Sequence, residues 1–374
     1  MLDPMLDHEK KYLEVYLQKV SRYQVIGSFQ ESPVYSLYQP PLLSKAGQRA
    51  LSFRLKRRFQ GLRVPATATI AINKTCQCAC EHCSAVFYNH HTAREMDFDV
   101  LKKALLESVE LGVTNLILLG GEPLLRKDLF DLIASVPKDL SVVTLFTNGE
   151  YLTPEMCRGL RDAGLMGVFV SLDDTREEVH DQARGRPGLF RKALQGIENL
   201  KSAGILVALS SYLSPSKLKE GGFEAMMELG KDLGVHEITF FDAIPSGQWL
   251  RDTSCLLTVE DRQEIQQKVR HFRQLKTYPG LSVQSTMTSE CGSAFCFAAN
   301  TQFYLTAFGD MCPCDFTPLT IGRYPDHSIA DLWKKMITTS PYNQRSKSCR
   351  MQSPEFRARY INTIPRTGPY PFPL

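Results

Sequence analysis

"TNLILLGG" occupies Thr114–Gly121, and its reading decides what kind of sheet this chain builds. Four consecutive apolar residues, Leu116–Leu119, stop abruptly at two glycines. So short and continuous a run fits a strand covered on both faces; a half-exposed strand would alternate. The same grammar recurs in "TATIAIN" (67–73), "VVTLFTNG" (142–149), "GVFVSLDD" (167–174), "ILVALSSY" (205–212) and "EITFFDAI" (237–244). Helical patterns fill the gaps, as in "DFDVLKKALLESVELG" (97–112), "TPEMCRGLRDAG" (153–164) and "LFRKALQGIENLKSAG" (189–204), several ending in a helix-stopping Gly. Strands alternating with helices imply a parallel sheet with right-handed crossovers.

Polar residues and glycines gather where each run ends: Asn73–Cys76, Gly120–Glu122, Thr147–Gly149, Ser171–Asp174, Ser210–Tyr212 and Asp242. In parallel α/β folds that carboxyl edge carries the chemistry. A closed eight-stranded barrel would need two more units, which the pattern does not offer. The expected fold class is therefore α/β, a partial (β/α)6 TIM-like barrel over residues 66–246. Residues 1–65 read as an N-terminal helical extension, with a basic amphipathic stretch, "SKAGQRALSFRLKRRFQGLR" (44–63), that is either a solvated face or a docking site. Residues 247–280 read as a helical connector, 281–352 as a small cysteine-bearing domain without the βα rhythm, and 353–374 as an extended proline-rich tail.

Composition narrows the function classes. Apolar content of 43% and charged content of 22% are those of a globular protein, and a net charge of +4 is too small to argue for nucleic acid. No apolar run is long enough for a membrane span, and the charged N-terminus lacks the apolar core of a signal peptide, so a cytoplasmic location is expected. A reducing compartment disfavours structural disulfides, so the clustered thiols are expected to hold metal.

Eleven cysteines fall mainly into two groups. "CQCACEHC" (76–83) follows the first strand and contains Cys76-x3-Cys80-x2-Cys83, with Cys78 as an extra thiol. Three thiolates on one loop can face a single iron–sulfur core, leaving one iron open. Zinc is the alternative, drawing on Cys76, Cys78, Cys80, Cys83, His82, His90 and His91. Cys291, Cys296, Cys312, Cys314 and Cys349 form the second group, while Cys157 and Cys255 stand apart.

The spacing Cys76-x3-Cys80-x2-Cys83 after a first strand resembles the signature of the radical S-adenosylmethionine (radical SAM) enzymes. "GGEP" (120–123), "TNG" (147–149), "SLDD" (171–174) and "EEVHDQARGRPGLFRKALQGIENL" (177–200) resemble that family's later motifs in order and spacing, over residues 66–245. The resemblance implies a [4Fe–4S] cluster on Cys76, Cys80 and Cys83, its fourth iron chelated by S-adenosylmethionine. It implies a shelf for the cofactor's amino group from Gly120, Gly121, Glu122 and Pro123, with further contacts from Asn148, Ser171 and Arg184. The loop "AIPSGQ" (243–248) would hold adenine through backbone groups. Many family members carry an aromatic residue where this chain has His82, and Cys78 is read as a bystander.

"CFAANTQFYLTAFGDMCPCDF" (296–316), with "SKSC" (346–349), resembles the auxiliary-cluster extension called SPASM, or its shorter form, twitch. The C-x2-C of a full SPASM is interrupted, since position 352 is Gln352. One auxiliary [4Fe–4S] cluster is implied, on Cys296, Cys312, Cys314 and Cys349, with Cys291 as the alternative ligand. The implied activity is reductive cleavage of S-adenosylmethionine to a 5′-deoxyadenosyl radical and hydrogen abstraction from a peptide or small-molecule substrate. An electron donor such as flavodoxin or ferredoxin would act as partner. Oxidation or cross-linking is the first expectation. Redox-neutral epimerisation is the second, with Cys255 or Cys291 as hydrogen donor. A non-catalytic zinc-binding interaction module is the reading from another class.

Overall fold

The computed structural model describes residues 7–20, 23–86, 88, 93–284, 286, 295–366, 368 and 370–374. His90, His91 and Cys291 lie outside the described residues. Helix α1 (Asp7–Val20), the hairpin β1 (Gly27–Phe29) and β2 (Ser32–Val34), and helix α2 (Lys45–Phe59) precede the barrel. The first 65 residues are thus not wholly helical. Between the helices, "GSFQESPV" turns on Gln30 and Glu31, both at positive φ, and pairs as a hairpin.

Strands β3 (Thr67–Ala71), β4 (Asn115–Leu119), β5 (Val142–Thr147), β6 (Gly167–Ser171), β7 (Leu206–Leu213) and β8 (Glu237–Asp242) pair in parallel in chain order. These are the six strands expected from the apolar runs. The helices between them carry the local signals that define their ends. In helix α3 (Phe98–Leu111), Asp97 caps the first turn by accepting from the Val100 N–H, and Gly112 closes the last. The outward residues of the strands and the apolar faces of these helices form one large core.

The sheet is wider than six strands. β9 (Gly280–Val283) pairs in parallel with β8, and β10 (Gln302–Leu305) pairs in parallel with β3 on the opposite edge. β11 (Met311–Cys312) then pairs antiparallel with β10, giving nine strands in the order β11-β10-β3-β4-β5-β6-β7-β8-β9. β9 and β10 do not pair with each other among the described residues, so the barrel stays open. The cysteine-bearing segment is therefore not a detached domain; its first strands extend the barrel wall at both edges. Its remaining parts pack outside. The helix Ile329–Thr338 lies against α3, and the Trp333 Nε1–H donates to Arg63 O.

The tail also departs from expectation. Residues 350–361 are helical turns rather than extended chain. Arg357, buried, donates to Leu250 O and ties these turns to the loop after β8. Only the last residues are extended: β13 (Phe372–Pro373) pairs with β12 (Leu319–Thr320).

Residues of the N-terminal extension pack into the amino-terminal mouth of the barrel. Leu37 packs with Val142, Met166, Phe169 and Leu206 in a second apolar cluster. The buried Glu237 carboxylate accepts from Leu37 N–H (2.7 Å), Ser36 Oγ (2.8 Å) and Ser282 Oγ. Tyr38 stacks near Phe169 (4.8 Å between centroids) and hydrogen-bonds Thr239 inside the barrel. The basic stretch resolves the same way. Arg49 donates to the carbonyls of Val109, Val113 and Leu140, and Arg63 to those of Ala299, Ile337, Tyr342 and Asn343. Both staple the N-terminal extension to the barrel and its extension.

Candidate active site at the carboxyl edge of the barrel

The thiol loop leaves β3 and is laced to its neighbours by backbone. Gly121 N–H donates to Asn73 O (2.9 Å), Glu122 N–H to Thr75 O (2.8 Å), and Asn73 Nδ2 to Glu122 O (2.8 Å). Further along, Ala79 N–H donates to Arg184 O and Glu81 N–H to Ala183 O, each at 3.0 Å, so the carbonyls closing helix α6 (Glu177–Arg184) hold the loop's middle. Gln77 Nε2 donates to Asn148 Oδ1 and to Glu150, itself paired with Arg186 and Lys192. At the far end, a Cβ on Gly247 would sit 1.8 Å from Cys83 O, so only glycine lets the loop after β8 close onto the last cysteine.

The glycines of the shelf answer to the same packing. A Cβ on Gly120 would lie 2.2 Å from Asn73 Oδ1, and one on Gly121 2.3 Å from Thr75 O. Both glycines also line the cavity, where close approach of a ligand is expected of them; their packing shows that the thiol loop needs the same bare backbone. Glu122 is likewise a brace. Its carboxylate accepts from Thr147 Oγ1 (2.6 Å), Asn148 N–H (2.9 Å) and Leu124 N–H (3.1 Å), joining the ends of β4 and β5. Burial pushes it up to about 7 despite those bonds. Pro123 is buried, starts a short 3-10 turn and does not line the cavity. Ser171 does not line it either. Its ladder partner Ser210, one strand on, does. Asn148 lines it with a buried Nδ2 that has no partner among the described residues.

Cys76 is exposed, and Cys78, Cys80 and Cys83 are half-buried. Cys78 lies between Cys76 and Cys80 and lines the same cavity. Its thiol hydrogen-bonds those of both Cys76 and Cys80, which lowers Cys76 to about 6 and lowers Cys80 as well. The Arg184 guanidinium adds to both effects. Arg184 itself is committed to Asp173 through Nε (2.7 Å) and Nη2 (3.0 Å), both side chains buried. Burial alone would raise Asp173, but Arg184, His82 and Lys217 together hold it well below the carboxylate range. Arg184 thus reaches the site as half of an ion pair, not as a free cation awaiting a carboxylate.

Beyond this pair stands an aromatic wall. His82 packs at 4.9 Å from Tyr212 and 5.9 Å from Trp249, and Tyr212 meets Trp249 edge-on at 5.5 Å. Lys217 sits 3.4 Å above the Tyr212 ring, and burial lowers it to about 8. Three of the downstream thiols face the same space. One continuous cavity of about 1900 Å³ is lined by Cys76, Cys78, Cys80 and Cys83 and also by Cys296, Cys314 and Cys349.

The Radical SAM superfamily profile matches residues 70–230. An AdoMet-dependent heme synthase of Methanosarcina barkeri is 30% identical over 286 residues, covering 69% of this chain and 79% of the relative. The chain belongs to the radical SAM superfamily. A PqqA peptide cyclase of Ruegeria pomeroyi is 25% identical, covering 75% of this chain and 77% of its own. Among solved structures, Streptococcus suis SuiB bound to its precursor peptide SuiA superposes with a TM-score of 0.61 at 13% identity, over 89% of this chain and 77% of that one. That likeness is one of fold.

A radical SAM enzyme implies a [4Fe–4S] cluster carrying S-adenosylmethionine, and the upstream loop fits both. It offers three thiols in the family's spacing and, close by, the unpartnered Asn148 Nδ2. Among the described residues, no group of three or more His, Cys, Asp and Glu side chains is placed to hold a metal ion as it stands.

In the second set, the Cys349 thiol hydrogen-bonds Cys296, lowering it to about 6, and Cys314 lies close enough to raise Cys349 further. Cys312 does not join them. It is fully buried on β11, opposite Tyr304, and does not line the cavity. Cys255 also stays outside the cavity, with its thiol toward Asp252 O (3.6 Å), so it does not face a substrate space as a hydrogen donor. Sequence reasoning passed over Asp315, which lines the cavity beside Cys314. Burial raises its carboxyl to about 7, and Oδ1 has no partner among the described residues. Its place directly after Pro-Cys was the only signal.

Proposed function

We propose that this radical SAM enzyme oxidises a substrate held between two iron–sulfur centres, the first on Cys76, Cys80 and Cys83 and the second on Cys296, Cys314 and Cys349. The single cavity lined by both thiol sets carries this reading. Bound at the first centre, S-adenosylmethionine supplies the 5′-deoxyadenosyl radical that removes a hydrogen atom from carbon. The chain's own contribution is placement. Gly120–Glu122 and Asn148 would orient the methionine end, and the loop 243–249 and the aromatic wall would enclose the nucleoside. The second centre would receive the electron left on the substrate radical, and Asp315, beside Cys314 with an unpartnered Oδ1, would hydrogen-bond the substrate there.

The substrate reading follows the relatives. The cavity reaches well beyond the thiol loop, as far as the amino end of the barrel and the N-terminal extension, leaving room for a substrate beside the cofactor. Its lining includes Arg262, Arg270, Arg345 and Lys347, which suit a ligand bearing carboxylates. An iron porphyrin with propionate side chains meets both conditions and agrees with the heme synthase names; a peptide segment is the second reading, favoured by the PqqA peptide cyclase likeness. Anaerobic turnover with iron coproporphyrin, followed by mass spectrometry for loss of carbon dioxide and hydrogen from a propionate, tests the first. Formation of 5′-deoxyadenosine without any change in the porphyrin would send the search to peptides.

A further inference from the structure

Gln352 stands three residues after Cys349, at the place where the C-x2-C of a full SPASM carries another thiol. Its side chain turns to the barrel instead, and Nε2 donates to Asp242 Oδ2 at 3.2 Å. Asp242 is the last residue of β8; its side chain is only 3% exposed, and the residue lines the cavity. Arg262 Nη1 lies 4.0 Å from the same oxygen, beyond hydrogen-bond reach, and Asp242 Oδ1 has no partner among the described residues. Among the described residues, the Gln352 amide is thus the one hydrogen-bond donor to this buried carboxylate. The Asp242 N–H donates in turn to Gln284 Oε1 (3.2 Å), just past β9.

We propose that Gln352 is a positioning residue for the second iron–sulfur centre: its bond to Asp242 fixes Cys349 at the end of β8, so that the centre spans the seam of the open barrel. The proposal rests on the reading above that Cys296, Cys314 and Cys349 hold that centre. The link between Gln352 and Cys349 is short and stiff. Gln352 N–H donates to Cys349 O (3.2 Å) in the 3-10 turn Arg350–Gln352. Arg350 ties this turn only to its own segment, through Pro341 O and Gln344 O. Toward the barrel stand the Gln352 bond and a long contact, Arg357 Nη1 to Met351 O at 3.5 Å. The other two thiols come from the opposite side. Cys296 precedes β10 and Cys314 follows β11, at the far edge of the sheet from β9. A centre on all three thiols therefore joins both edges, and the bond to Asp242 sets where it sits above the cavity. A buried, charge-assisted hydrogen bond is strong enough for that task.

The test uses the full-length protein with Cys76, Cys80 and Cys83 replaced by Ala and reconstituted anaerobically, so that the second centre alone carries iron. Two readouts are taken: the electron paramagnetic resonance spectrum of the dithionite-reduced centre, and the rate at which a ferrous chelator strips its iron. Gln352→Ala and Asp242→Ala are expected to shift the spectrum alike and to speed iron loss about tenfold. Asp242→Asn, which keeps an oxygen acceptor, is expected to stay close to the parent. The double variant of Gln352→Ala and Asp242→Ala is expected to match either single one, since all three lack the same bond. Recovery of the parent's behaviour in the double variant would mean that Gln352→Ala only strands a buried carboxylate, and it overturns the positioning role. A shift in Gln352→Ala that Asp242→Ala does not share would put Gln352 on the centre itself and overturns the bond as its cause. If Gln352→Ala does not fold, as judged by circular dichroism, Gln352→Met combined with Asp242→Leu is read against the parent: a shifted spectrum supports the proposal and an unchanged one overturns it. A parent that holds iron but responds to none of these changes overturns this inference alone. A parent without iron overturns it together with the two-centre reading on which it rests.

Discussion

The two thiol sites are built on opposite plans. The upstream thiols ride a loop open to the cavity, with Cys76 exposed and its neighbours half-buried, and the loop is fixed by backbone hydrogen bonds to the end of β4 and to the last turn of the helix Glu177–Arg184. The downstream thiols are mostly buried, and their positions come from short strands and turns added to the edge of the barrel sheet. An open site on a braced loop suits a centre that must admit a cofactor. A closed site in a packed frame suits one that passes electrons or touches substrate without exchanging ligands. Each difference can be broken by substitution.

The largest effect is expected upstream. Replacing Cys76, Cys80 and Cys83 together with Ala should reduce dithionite-driven 5′-deoxyadenosine formation to background while far-ultraviolet circular dichroism stays unchanged, because the loop is held by its backbone. Downstream, replacing Cys296, Cys314 and Cys349 should preserve slow 5′-deoxyadenosine formation and abolish substrate product. Within the same segment Cys312→Ala sharpens the contrast. It should leave the iron content unaltered and cost only roughly 1 kcal/mol in urea denaturation, since the thiol packs away from the cavity. Loss of iron in Cys312→Ala would restore it to the ligand set.

A buried ion pair gives the next effect. Asp173→Asn strands the Arg184 guanidinium beside the loop and should destabilise the fold by about 3–5 kcal/mol. A gradual effect, spread over several pH units, comes from Glu122. Glu122 is raised from its usual value to about 7, so the native state holds its proton more tightly than the unfolded chain does. Its contribution is therefore most favourable below the unfolded value and is lost as pH rises to about 7, by up to about 3 kcal/mol. In cluster-free protein, Glu122→Gln should remove that decline from the difference curve. An identical pH profile in the two proteins would place the Glu122 carboxyl in a solvated setting.

The barrel was legible because its central strands are covered on both faces, and continuous apolar runs such as Leu116–Leu119 announce that state directly. β9 and β10 escaped notice because "GLSV" and "QFYL" are short: the first follows the helix Val259–Gln274, which reads as a connector, and the second follows no helix of the βα rhythm. The cysteine spacing located the upstream site, but the neighbours' roles did not follow from their types. Gly120 and Gly121 serve the thiol loop, Arg184 is spent on Asp173, and Ser210 replaces Ser171 at the cavity wall. Those assignments depend on side-chain direction at strand ends. Arg49 and Arg63 were opaque for a related reason: their partners are backbone carbonyls, which leave no mark in sequence.

The central claim is that two separate iron–sulfur centres share one cavity, and iron counting on the Cys76, Cys80 and Cys83 triple variant tests it most directly. Reconstituted anaerobically beside wild type, the variant should hold about four irons where wild type holds about eight, with the Mössbauer signature of a cubane. A variant devoid of iron, or a wild-type protein with four irons and zinc on Cys296, Cys314 and Cys349, would contradict the account.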